Sequence, residues 1–325
     1  MEPSETRWLL LIHQIPPKPN YFRVRIWRRL QRLGAVAIKN SVYVLPRNDQ
    51  TQEDFQWVSR EITEGGGEAT LCEARFVDGL SDDQVEQLFQ TAREAEYNQA
   101  ADQARHLTEM FPPDAKIDDT RRTQLETELA RVKRRLADVV AIDFFGAPGR
   151  EAAEGLVAEI DARLSGKALT SRPDGAWKLR PEELRSKSWV TRKGIHVDRM
   201  ASAWLIRRFI DANARFKFVP AKGYQPMPDE LRFDMFEAEF THQGDRCTLE
   251  ILIERIGLID PALTPIAEIV HDIDLKDSKF GRRETPGIER LIAGLAMRHK
   301  DDDIRLERGA AMFDDLYEYF KKKGG

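Results

Sequence analysis

Apolar and polar positions change rhythm several times along the chain, and each change marks an element. Trp8–Ile15 is a short, bulky apolar run closed by Pro16 and Pro17, which predicts a buried strand. In Tyr21–Leu33, Phe22, Ile26, Leu30 and Leu33 recur at helical spacing, and Gly34 follows where a helix stops. Val36–Leu45 predicts a second strand, with Asn40-Ser41 as a kink or turn. Glu53–Glu64 predicts a helix with Phe55, Val58 and Ile62 inward, ended by Gly65-Gly66-Gly67. Glu68–Val77 predicts a third strand. The order β-α-β-α-β predicts a small α/β sandwich of ferredoxin type.

The rhythm is then helical for a long stretch. Asp82–His106 is helical and acidic, and Phe111-Pro112-Pro113 breaks it. In Thr120–Val140, Leu125, Leu129, Val132, Leu136 and Val139 step by four, three, four and three. That is a heptad seam, which serves either a homodimer or the core of a bundle. Phe144–Gly149 is a break, and Arg150–Leu164 is a further amphipathic helix. Gly166–Glu183, with Pro173, Gly175 and Pro181, reads as a linker.

Beyond it, Trp189–Thr191 predicts a strand, His196–Asp211 a helix, and Phe216–Val219 and Phe233–Thr241 two more strands. Thr248–Ile256, Ile266–Ile273, Pro286–Met297 and Asp303–Lys322 predict helices. The fold class expected is α/β in the broad sense (α+β): a ferredoxin-like N-terminal domain, a helical middle segment and a mixed α+β C-terminal domain. The expected boundaries are 1–110, 111–165, a linker over 166–185, and 186–325.

Composition narrows the setting. The 325 residues are 41% hydrophobic and 33% charged, above the usual quarter. No apolar run approaches the roughly 20 residues that span a bilayer. The early run ends in His13, Gln14 and prolines, not in a small-residue cleavage site, so the cytoplasm is expected and no membrane partner. The two cysteines, Cys72 and Cys247, make neither a disulfide framework nor a CxxC motif. The net charge of −4 hides an asymmetry: Lys18–Arg47 holds eight basic residues and no acid. Such a block suggests a local anionic partner.

Three constellations could carry chemistry. The first is the helix bearing Arg23, Arg25, Arg28, Arg29 and Arg32, with Trp27 among them. Phosphate contacts there would give salt-sensitive nucleic-acid binding, and promoter DNA is the partner expected. The second is cationic: Arg192, Lys193, His196, Arg199 and Arg207 surround the start of the His196 helix, just after Gly194. Free N–H groups at a helix start with guanidinium groups around them suit a small dianion. The third joins histidines to carboxylates. His196 and Asp198, His242, Glu250, and His271 with Asp272 are candidate ligands of a divalent metal such as zinc, iron or manganese. Their spacing matches no zinc finger and no HExxH motif. No GxSxG motif, P-loop or spaced Cys–His pair is readable, so no catalytic residue is assigned.

One long stretch carries a resemblance. Trp189–Phe209, reading WVTRKGIHVDRMASAWLIRRF, resembles the signature of the ChrB C-terminal domain of chromate-resistance proteins. Further pieces stand at Phe233-Asp234-Met235, Cys247–Glu250 and Ile269–Asp274, and Trp8–Pro46 resembles the family's N-terminal domain. That N-terminal half also resembles the ferredoxin-like module of phenylacetate-type repressors. The resemblance implies a stress-response protein that regulates an operon with a chromate efflux transporter, and chromate or a similar oxyanion as ligand. It implies no assigned catalytic residues. The function expected is a chromate-sensing transcriptional regulator, in the form of a homodimer. A metal-dependent enzyme or redox accessory protein of chromate detoxification is the alternative.

Overall fold

The structure, a computed structural model, describes residues 7–111, 119–165, 181–220, 224–235 and 238–323. They divide into two units. One runs to Tyr97 and includes Arg134–Pro148, and the other holds Asn98–Lys133 and everything from Gly149 onward. The linker expected over 166–185 lies outside the described residues except at its end.

In the first unit the chain runs β1 (Trp8–Gln14), α1 (Asn20–Arg32), β2 (Val36–Lys39), β3 (Val42–Pro46), α2 (Asp49–Glu64) and β4 (Glu68–Ala74). The sheet order is β2-β3-β1-β4, with antiparallel neighbours throughout. This is the ferredoxin-like split arrangement. The single strand expected over Val36–Leu45 is a hairpin instead. Asn40-Ser41 reverses the chain, so β2 and β3 pair with each other. Two short strands separated by two polar residues satisfy more backbone groups than one kinked strand would.

Central strand β1 buries Trp8, Leu9 and Leu11, and α1 turns Phe22, Ile26 and Leu30 inward. An Asn48–Thr51 capping box starts α2. The two helices approach closely: a Cβ at Gly65 would fall 2.1 Å from the Phe22 ring. Helix α3 (Asp82–Glu109) begins in this unit, and Phe89 stacks on Trp8 with ring centres 6.0 Å apart. Helix α4 (Asp119–Ala141) follows, and Phe144 and Phe145 in the break after it complete that aromatic cluster. All five heptad residues of α4 are buried within the single chain.

The second unit is mostly helical around a small parallel sheet. It contains α5 (Arg150–Ser165), α6 (Pro181–Leu184), β5 (Ser188–Arg192), α7 (Val197–Leu205), β6 (Arg215–Val219) and β7 (Glu230–Arg232). Helices α8 (Thr248–Ile256), α9 (Leu263–Leu275), α10 (Thr285–Arg298) and α11 (Asp302–Lys323) follow. The sheet order is β6-β5-β7, parallel on both sides of β5. Four of the five residues of β5 and all nine of α7 are buried, as befits a covered central strand and helix.

Two expected elements differ. The helix expected over His196–Asp211 is α7 followed by a π-helical turn, Ile206–Ile210. The strand expected over Phe233–Thr241 is absent among the described residues. Asp234 has φ +46°, which ends an extended run, and Phe233 and Phe240 meet only in an isolated bridge. The Asp234 N–H donates to the Phe240 carbonyl at 2.8 Å, which brings the two ends of the segment together. No described helix is long and apolar enough to cross a membrane.

Candidate functional site

The burial of Phe22, Ile26 and Leu30 forces the other faces of α1 outward. Arg23, Arg25, Arg28, Arg29 and Arg32 are all exposed, and so are Tyr21, Val24 and Trp27. Arg25 and Arg29 pair with Glu61 of α2 at 2.7 Å each. Arg23, Arg28 and Arg32 make no ion pair among the described residues. A groove of about 880 Å³ is bordered by Arg25, Arg28, Arg29, Arg32 and Tyr21. A smaller one on the other side is lined by Arg23, Trp27, His13 and Tyr43.

In the second unit the expected cationic residues meet carboxylates. Arg192 donates to Glu151 of α5 at 2.7 Å, and both are buried. Arg199, also buried, pairs its Nε with the Asp234 carboxylate at 3.1 Å, donates to the Asp234 backbone carbonyl at 3.3 Å, and reaches Glu151 at 4.0 Å. The loop N–H groups of Gly194 and Ile195 donate to Asp302 at 2.8 and 2.9 Å. Lys193 is exposed, and the Arg207 guanidinium lies 4.9 Å from the Phe216 ring centre. His196 is the N-cap residue of α7 and is half-buried. The structure therefore brings Arg192 and Arg199 together, with Lys193 and Arg207 elsewhere.

The histidine–carboxylate candidates sort into two groupings. Asp198, His242 and Asp274 form one; His271, Asp272 and Asp277 form the other. His196 belongs to neither. In the first, His242 Nε2 stands 2.7 Å from Asp274 and 3.9 Å from Asp198, and its Nδ1 stands 3.3 Å from Asp234. Asp198, in the first turn of α7, accepts from the backbone N–H groups of Thr248 and Leu249 at 2.8 and 2.9 Å. Those are orphan donors at the start of α8. In the second, His271 lies between Glu250, 2.7 Å away, and Asp277, 3.3 Å away. Asp272 accepts from the N–H groups of Phe280 and Gly281.

Burial decides the electrostatics. Asp198 is pushed up to about 8, first by burial and then by the nearby Asp234 and Asp274 carboxylates. Burial opposes the charge on Asp234 too, but the Arg199 guanidinium and His242 hold it well below its usual value. Burial disfavours a charged His242, yet its contacts with Asp234 and Asp274 raise it well above 6.5. His271 behaves alike: Asp277 and Glu250 overcome burial and bring it to about 9. Burial, then Asp198 and Glu250, push the Cys247 thiol up, which leaves it a poor nucleophile.

The sequence pointed to Asp274 only as part of the His271–Asp274 run, and gave no site role to Glu151, Asp234 or Asp277. Asp274 follows His271 by three positions on α9 but pairs with His242, 32 residues away, so that spacing does not give its partner. Asp234 carried a signal only in its unusual backbone conformation, which the sequence does not display.

Comparison with known proteins covers nearly the whole chain. The model for the ChrB C-terminal domain matches residues 189–320, and that for the ChrB N-terminal domain matches residues 23–170. Protein ChrB of Cupriavidus metallidurans is 30% identical over 326 residues, covering 97% of this chain and 96% of that protein. No solved structure matches.

Proposed function

Because the chain belongs to the ChrB family of chromate-resistance proteins, we propose that it is a chromate-responsive regulator that contacts promoter DNA through the outer face of α1. The observation that carries this reading is the exposed arginine face of that helix. Arg23, Arg28 and Arg32 pair with no carboxylate among the described residues, and a polyanion supplies many. Trp27 and Tyr21 add exposed rings able to stack on sugar or base. In this reading the protein works in the cytoplasm as a homodimer, which matches the two-fold symmetry of many operators. The second unit is the input, and its ligand is a divalent metal ion or a small oxyanion related to chromate.

The test is gel retardation of the protein's own operon promoter at low salt. A salt-sensitive shift is expected, weakened at least about tenfold when Arg23, Arg28 and Arg32 become Gln. The reading fails if no shift appears with or without chromate.

The histidine–carboxylate groupings favour a second reading, a metal-dependent enzyme or redox accessory protein of chromate detoxification. Chromate consumption by the metal-loaded protein would support it, and an inert metal-loaded protein would remove it.

A further inference from the structure

We propose that Asp198, His242 and Asp274 bind one hard divalent cation of the manganese type, with Asp234 as the residue that positions His242. The inference deepens the reading of the second unit as the input half, and rests on it for the role of the ion but not for its binding.

Geometry supplies the first argument. The three donor atoms lie within 4.8 Å of one another and come from α7, from the loop before α8, and from α9. An octahedral ion with bonds of about 2.1 Å places adjacent donors roughly 3 Å apart. The separations of 2.7 and 3.9 Å from His242 Nε2 bracket that spacing. Nδ1 of the same imidazole faces Asp234, and Arg199 grips Asp234 from behind. A carboxylate that takes the outer N–H of a metal-bound imidazole fixes its tautomer and aim. Asp198 is likewise held by two backbone N–H groups. Asp274 is the most solvent-reachable of the three, its side chain 23% exposed against 3% or less for the others, which leaves one side open for entry and for bound water.

Charge supplies the second. The connected set holds four carboxylates, Glu151, Asp198, Asp234 and Asp274, against two guanidinium groups, Arg192 and Arg199. In the metal-binding form, with all four carboxylates ionised and the imidazole neutral, the set holds two excess negative charges, which protons on Asp198 and His242 take up in the ion-free protein. Buried charge without a partner is strongly unfavourable, and one divalent cation closes the account. A chromate dianion would double the excess. The carboxylate oxygen of Glu151 that faces away from Arg192 is buried without a hydrogen-bond partner among the described residues.

Donor chemistry supplies the third. Two carboxylates and one imidazole, with no sulfur in the grouping, favour oxygen-seeking ions over thiophilic ones.

The test uses the full chain, stripped with a chelator and titrated with Mn²⁺. Free ion is followed by electron paramagnetic resonance, and the Asp274→Asn, Asp234→Asn and Asp277→Asn variants are run in parallel. One ion per chain is expected. Asp274→Asn weakens binding about 100-fold or more at an unchanged melting temperature. Asp234→Asn weakens it about tenfold with the stoichiometry kept, a shift in affinity that a merely structural role would not produce. Asp277→Asn leaves it unchanged, and chromate does not compete. No saturable binding overturns the proposal. So does loss in Asp277→Asn with none in Asp274→Asn, or displacement of Mn²⁺ by chromate. Promoter retardation is measured separately on the same preparations. Retardation without metal binding sinks the cation site and spares the regulator. Metal binding without retardation does the reverse.

Discussion

The chain gathers arginine in two places and treats it in opposite ways. On α1 five guanidinium groups stand in water, two of them sharing Glu61. Around β5 and α7, Arg192 and Arg199 are buried and paired with Glu151 and Asp234. Solvated charge costs little and stays available to a large, hydrated polyanion. Buried charge is tied to whatever neutralises it, so changing the neutraliser changes the packing. The contrast separates a surface suited to touching a partner from an interior suited to registering a small one.

The sharpest way to break that contrast is Arg199→Met. It strands Asp234 in the interior, and a loss of about 3–5 kcal/mol is expected in chemical denaturation. A loss below about 1 kcal/mol would mean that Arg199 is no more structural than the arginines of α1.

A smaller effect comes from pH. His271, faced by Glu250 and Asp277 with Arg105 and Lys279 nearby, titrates at about 9 when folded against 6.5 normally. A raised value means that the contribution is complete below 6.5 and disappears as pH climbs through 9. The melting-temperature gap between the parent protein and His271→Gln should therefore be widest near pH 6 and close by pH 10. A gap that is flat with pH would show that His271 is neutral in the fold.

The smallest effect on stability belongs to α1. Arg28→Gln with Arg32→Gln should change unfolding free energy by less than about 0.5 kcal/mol. Retardation measured across salt concentrations should lose about 2 from its log–log slope. A large loss of stability there would erase the difference between the two regions.

Local rhythm made most of the fold legible. Phe22, Ile26 and Leu30 reported α1, and the unbroken apolar run of Trp8–Ile12 reported a central strand, because burial of one face sets those periods. The β2–β3 hairpin was half-visible in Asn40-Ser41, which reads equally as a kink. The break at Asp234 was not visible, since the apolar residues around it fit a strand and the left-handed backbone that stops one leaves no mark in the sequence. The site was legible by residue type and illegible by grouping. His242 and His271 each found carboxylates, but Asp234 and Asp274 reach His242 through tertiary folding, over separations that no spacing rule covers. Sequence alone also hides Glu151, far upstream on α5, which pairs with Arg192 of the expected anion site.

Asp198 belongs to one helix and closes the first turn of another. Its two oxygens pin the opening amides of α8 while its backbone is wound into α7. The two helices thus share a rivet set in a dry wall, with no flexible loop to absorb a displacement. Any pull on that carboxylate is delivered to both at once, as a tug on a crossbeam moves both posts.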